Sequence, residues 1–144
     1  MKWVTRAHAK VDRIACPWLI RRFIDSDAEF VFAAPSRVQE IVDKEGAIPF
    51  DVPGAELGHA EGKCSFDSFM EKYKLGDKAL QKLAAIVNGA DTKNPNPDPR
   101  SAGLLAIATG YSLLFPNDME NMEYQFQVYD ALYAWCRLEA AKAV

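Results

Sequence analysis

The chain has 144 residues, 49% of them apolar and 26% charged, with a formal net charge of −3. That length suffices for one buried core, and the composition is that of an ordinary folded protein rather than a disordered or fibrous one. No apolar run approaches the ~20 residues of a membrane span, and a net acidic chain lacks the broad basic face that nucleic-acid binding needs.

In chain order, Lys2 to Ala7 reads as a short strand built on Trp3, Val4 and Thr5. A helix is expected from Asp12, placed as its N-cap, to about Asp25, with Pro17 near the first turn. Glu29 to Ala33 is a second strand, Pro35 to Lys44 a helix stopped by Gly46, and Ala47 to Val52 a third strand. This β-α-β-α-β pattern is that of a small sheet with crossover helices. A Gly-rich loop, Pro53 to Lys63, carries His59 at its centre. Everything beyond it reads as helical. Ser65 would cap a helix to Tyr73, Asp77 one to Val87, and Asn117 a final helix to about Ala140. Between them a polar loop, Lys93 to Arg100, precedes a small-residue helix from Ser101 to Leu114 that suits close packing at the centre. The expected fold is α+β, mostly α overall, with residues 1–144 forming a single domain and no internal repeat.

Charge is distributed unevenly. The first 22 residues hold six basic groups (Lys2, Arg6, Lys10, Arg13, Arg21, Arg22) against one acid, Asp12, so an acidic protein gathers its arginines at one end. Such a cluster points to a local anion site or a buried ion network. The N-terminus places charge where a secretory signal needs an apolar stretch. Cys16, Cys64 and Cys136 form no Cys-x-x-Cys pair, which makes a disulfide framework or zinc knuckle unexpected and the cytoplasm the default location.

Three groups of residues could carry chemistry. Arg6, Arg13 and Arg22, with His59, could clamp a tetrahedral oxyanion, because a guanidinium fork offers two parallel donors. Against this stand structural roles: an i,i+4 pair of Arg21 with Asp25, and a core ion pair of Arg21 or Arg22 with Asp130. His59 with Asp12, Asp67, Asp91 and Asp130 could instead build a His/carboxylate metal site for Mn, Fe or Zn. No tight His spacing supports that site, and each member has an ordinary alternative as a turn, cap or core anchor. Asp130 sits among Phe126, Tyr129, Tyr133 and Trp135, where a carboxylate has to be paired or protonated. No P-loop, GxGxxG or Ser-His-Asp arrangement is present.

The segments Trp3-Val4-Thr5-Arg6, Val11-Asp12-Arg13-Ile14-Ala15, Trp18 to Asp25, Ile48-Pro49-Phe50-Asp51, Gly58-His59, Cys64-Ser65-Phe66-Asp67, Gly89-Ala90-Asp91, Gly103 to Ala106 and Tyr129 to Tyr133 run from end to end of the chain. In that order they resemble the C-terminal domain family of the chromate resistance protein ChrB. The resemblance implies a stress-response role in sensing or tolerating chromate, a dianion resembling sulfate. Full regulators of this family also carry an N-terminal DNA-binding region with no counterpart here, so direct contact of this chain with nucleic acid is not expected. Position 67 is Asp where the family more usually offers Glu.

The first expectation is therefore a cytoplasmic chromate-resistance-type domain that binds or senses a small oxyanion of the chromate or sulfate kind, or a metal. Its rival is a metal-dependent enzyme or metal-binding protein. A third reading is an interaction module whose aromatic C-terminal helix forms a homodimer seam. Whether any reaction is catalysed is left open by the sequence.

Overall fold

A computed structural model describes residues 1–142. The chain begins with β1 (Lys2–Arg6), α1 (Asp12–Leu19), β2 (Glu29–Ala33), α2 (Val38–Glu45) and β3 (Ile48–Pro49). Helices α3 (Ser65–Lys72), α4 (Lys78–Asp91), α5 (Ser101–Leu114) and α6 (Asp118–Lys142) follow. The α+β architecture expected from the sequence, predominantly helical, is the one that forms.

The three strands make one parallel sheet in the order β2-β1-β3, with Trp3 opposite Phe30 and Ile48, and Val4 opposite Val31 and Pro49. Parallel pairing demands crossovers, and α1 and α2 supply them. Side chains alternate across the sheet, so the two faces are covered separately. Trp3, Phe30 and Phe50 join the main core with Ile14, Leu19 and the helical half, whereas Val4 and Val31 pack with Val38, Ile41 and Val42 of α2. Phe69 of α3 meets both Trp3 and Phe50 at ring separations of 5.9 Å. From α6, Met122, Phe126 and Tyr129 enter the same core. Each large apolar side chain buried there contributes about 1.5–3 kcal/mol.

Several local expectations are corrected. Asp12 is the first residue of α1 and makes no capping bond to it; Val11 occupies the N-cap position. The helix does not run on regularly to Asp25. Its last turn, Ile20–Ile24, is π-helical, closed by the Asp25 amide donating to the Ile20 carbonyl at 2.7 Å. The extra residue changes the register, so Arg21 does not pair with Asp25. It donates to the Ala28 carbonyl and lies over Phe30 and Phe126, while Asp25 receives the N-terminal amine and the Trp3 indole.

The third strand is two residues long, although the Phe50 amide still donates to Val4. Asp51 then adopts a left-handed φ of 49° and turns the chain out of the sheet. Cys64 rather than Ser65 caps α3, forming a reciprocal capping box with Asp67. Asp77 does cap α4, but that helix passes Val87 and ends at Asp91. Gly89 makes the extension possible: a Cβ there would lie 2.2 Å from Ser101 Oγ and 2.9 Å from Pro97 Cβ. Finally, α5 is not central. Only Ser101, Leu104 and Ala108 are buried, and much of its small-residue surface is exposed.

Candidate metal centre

In a parallel sheet, functional groups collect beyond the carboxyl ends of the strands, where successive crossovers diverge to opposite faces. Here that place is the end of β1, flanked by α1 on one side and by the β3 exit on the other. Arg6 closes β1, Asp51 leaves β3, and Asp12 and Arg13 open α1. The loop after β3 returns His59 over the same edge, and α4 delivers Asp91 as its last residue.

That loop is held at several points. The Asp51 amide donates to Leu57, Ser68 Oγ to the Gly58 carbonyl at 2.7 Å, and Asn88 Nδ2 to the Gly62 carbonyl at 2.9 Å. Asn88 also donates to Asp67 Oδ2, which accepts the Cys64 amide as well. Asp67 thus caps α3 and ties it to α4, bracing the histidine loop at its far end.

Three carboxylates surround one imidazole. His59 Nε2 lies 2.9 Å from Asp91 Oδ2, 3.2 Å from Asp51 Oδ1 and 3.5 Å from Asp12 Oδ2. Ligand atoms of Asp12, His59 and Asp91 fall within 4.8 Å of one another. Asp12 is buried, and its Oδ2 accepts the Ser65 amide at 2.6 Å, so it serves the N-terminus of α3 rather than of its own helix. Its other oxygen, Oδ1, is buried without a hydrogen-bond partner. Asp51 is better provided for: Ser65 Oγ donates to it at 2.6 Å, and Arg13 Nε and an Arg6 nitrogen stand 3.4 and 3.9 Å away.

The electrostatics follow from burying like charges together. Burial, then the charges of Asp12 and Asp51, push Asp91 up to about 8. Asp51 is raised by burial and by Asp12, with Ser65 and Arg13 opposing. The Asp12 carboxylate, supported by Asp51 and Asp91, raises His59 to about 9 against the opposing effect of burial. Asp91 also stands at the C-terminal, negative end of the α4 dipole. Nitrogen and oxygen donors with surplus negative charge make a setting suited to a divalent cation such as Mn, Fe or Zn. The neighbouring thiols offer little competition: burial and Asp12 raise both Cys16 and Cys64 far above their ordinary range.

The residues singled out from sequence are distributed between two places. Asp12, His59 and Asp91 come together, with Arg6 and Arg13 beside Asp51. Arg13 also donates to the backbone carbonyls of Arg6 and Ala7, and Arg6 Nε to that of Asp51, so much of their donor capacity holds the end of β1. Asp67 lies in the supporting layer. Arg22 and Asp130 lie elsewhere, joined by two hydrogen bonds of 3.0–3.1 Å, with the Trp18 indole donating to the same carboxylate at 2.8 Å. Sequence reasoning missed Asp51, Ser65 and Asn88. An aspartate directly after a strand and before Pro53-Gly54 is the signal for the first of these. Ser65 and Asn88 carry no comparable mark.

Two hollows open beside His59. One of about 490 Å³ is lined by His59, Lys63, Thr92, Lys93 and Asn94, and a recess of about 140 Å³ by Arg6, Asp51 and His59.

Fold and cluster together define a small α+β protein with a one-histidine, three-carboxylate centre at the carboxyl edge of a parallel sheet. Residues 3–136 match the family described as ChrB, C-terminal domain, and the chain belongs to that family. It is 35% identical over 133 residues to Protein ChrB of Cupriavidus metallidurans, an alignment covering 92% of this chain and 40% of that relative. The chain therefore spans well under half the length of the curated relative it matches. No solved structure matches it. Among the described residues, no helix is long and apolar enough to cross a membrane.

Proposed function

We propose that residues 1–144 act as one chromate-resistance-type domain whose working centre is a divalent-cation site, with Asp12, His59 and Asp91 as ligands and Asp51 as the adjoining carboxylate. The carrying observation is the convergence of His59 with three carboxylates from α1, the β3 exit and α4, one of them holding an unsatisfied buried oxygen. A buried anionic oxygen without a donor is costly, and a bound cation removes that cost. His59, half exposed beside the two hollows, leaves room for a further ligand on the ion. In this reading the domain works in the cytoplasm and contributes metal-dependent sensing or handling of chromate stress.

Elemental analysis of purified protein tests the site. Near-stoichiometric Mn, Fe or Zn is expected in the wild type and is lost in Asp91→Asn, while Asp130→Asn retains it. Metal content equal in all three proteins contradicts the assignment.

A second reading is favoured by Arg6, whose side chain is 32% exposed and faces the same recess as His59. An oxyanion of the chromate or sulfate class would bind there through Arg6 and His59, with Arg13 behind. Calorimetric titration with sulfate, with and without metal, distinguishes the readings. Heat from chelator-treated protein supports an autonomous anion site, and heat only from metal-loaded protein supports an anion on the cation.

A further inference from the structure

The helix α5 is anomalous for an exposed element: none of its fourteen residues is charged. Its outward side presents Gly103, Ala106, Ile107, Gly110, Leu113 and Leu114, and the last two are 77% and 74% exposed. The two ends of this face have opposite shapes. At the N-terminal end an apolar hollow of about 450 Å³ lies between α5 and α6, lined by Gly103, Ile107, Val128, Leu132 and Trp135. A Cβ at Gly103 would meet nothing within 4 Å, so that end is open. At the C-terminal end Leu113 and Leu114 form a ridge.

We propose that this face pairs with the same face of a second copy of the chain, α5 antiparallel to α5 about a twofold axis. Leu114 lies eleven residues beyond Gly103, or ~16 Å along the helix. An axis level with the middle of α5 therefore places each leucine ridge over the hollow of the other copy, filling both at once. Charge selects the same arrangement. Arg100, which stacks on Trp135 at 4.4 Å and pairs with Asp98, marks one end of α5. Exposed Glu120 in the first turn of α6 marks the other, beside Asp118, whose two oxygens accept the His8 and Ala9 amides. Antiparallel pairing sets Arg100 opposite that acidic end twice, whereas parallel pairing sets ridge on ridge and like charge on like. The contact is isologous and closes at two copies. Exposed apolar faces of this kind are characteristic of association surfaces.

Sedimentation equilibrium at high micromolar concentration tests the proposal. A wild-type dimer is expected. The double variant Leu113→Glu/Leu114→Glu removes the ridge, and Gly103→Leu, whose Cβ meets nothing within 4 Å, occupies the hollow. Each weakens self-association by at least about tenfold, the cost of losing a buried interface anchor. Arg100→Glu weakens it too, and adding Glu120→Arg restores it. A monomeric wild type, which would leave this face to another kind of partner, overturns the proposal. So does a dimer indifferent to both the ridge and the hollow variants, or an open-ended series of larger species.

Discussion

The carboxylate of Asp12 gives one oxygen to the Ser65 amide and leaves the other without a donor, and its charge, added to burial, raises the affinity of both Asp51 and Asp91 for protons. A pH dependence follows for the metal-free protein. Asp91 rises from 3.8 to about 8 on folding, so the stability linked to its proton is present below pH 3.8 and is lost as pH climbs through 8. His59 rises from 6.5 to about 9, and its contribution is present below 6.5 and lost through 9. The other groups facing this pair are Asp12 and Asp51, the arginines Arg6 and Arg13 at 3.9 and 3.4 Å from Asp51, and the two protonated thiols. The melting temperature of chelator-treated protein is therefore expected to fall from pH 5 to pH 9, and less steeply in Asp91→Asn. Added metal displaces those protons, so its stabilising shift grows over the same range. A flat profile in the chelated wild type would remove the like-charge account of the site.

At the level of elements, the helix boundaries set by capping chemistry were legible in the chain: Gly46 ends α2, Asp77 caps α4 and Asn117 accepts the Glu120 amide at the start of α6. These signals are local, carried by one side chain and its own backbone. What was not legible depended on distant partners. Asp12 looks like a cap for α1 and instead bonds to α3, 53 residues on. The helix α5 looks central because it is small and apolar, yet its core side is only three residues wide. Gly89 lies beyond the helix end expected at Val87, yet it is retained inside α4, where the Ser101 and Pro97 side chains press against it. Replacing it with Ala gains about 1 kcal/mol of helix propensity but overpacks the contact with the Ser101 and Pro97 side chains at a cost of about 1–3 kcal/mol. Gly89→Ala is expected to lower the urea midpoint, whereas Gly103→Ala, in open space, raises it. Equal effects at the two positions would mean that α4 and α5 do not approach as closely as described.

Across the whole molecule, the arginine-rich N-terminus divides by place. Arg6 and Arg13 belong to the sheet edge, and Arg22 belongs to the seam between the π-helical turn and α6. The Arg22–Asp130 pair is 40% and 46% exposed at its two side chains, so its contribution is that of a solvent-screened pair, up to about 1 kcal/mol. Arg22→Ala is accordingly expected to leave metal content unchanged and stability nearly so, and a loss of metal in that variant would link the seam to the site. The division was invisible in the sequence, where both groups fall within the same 22 residues, because it depends on which element the chain later brings alongside each arginine. The same holds for the site, whose residues come from positions 12, 51, 59 and 91.

The most direct test of the centre is X-ray absorption on protein loaded with one equivalent of zinc. The account predicts a first shell of one imidazole nitrogen with oxygens at about 2.0–2.2 Å and no sulfur. A sulfur at about 2.3 Å, which would make Cys16 or Cys64 a ligand, or the spectrum of a freely hydrated ion, would contradict it.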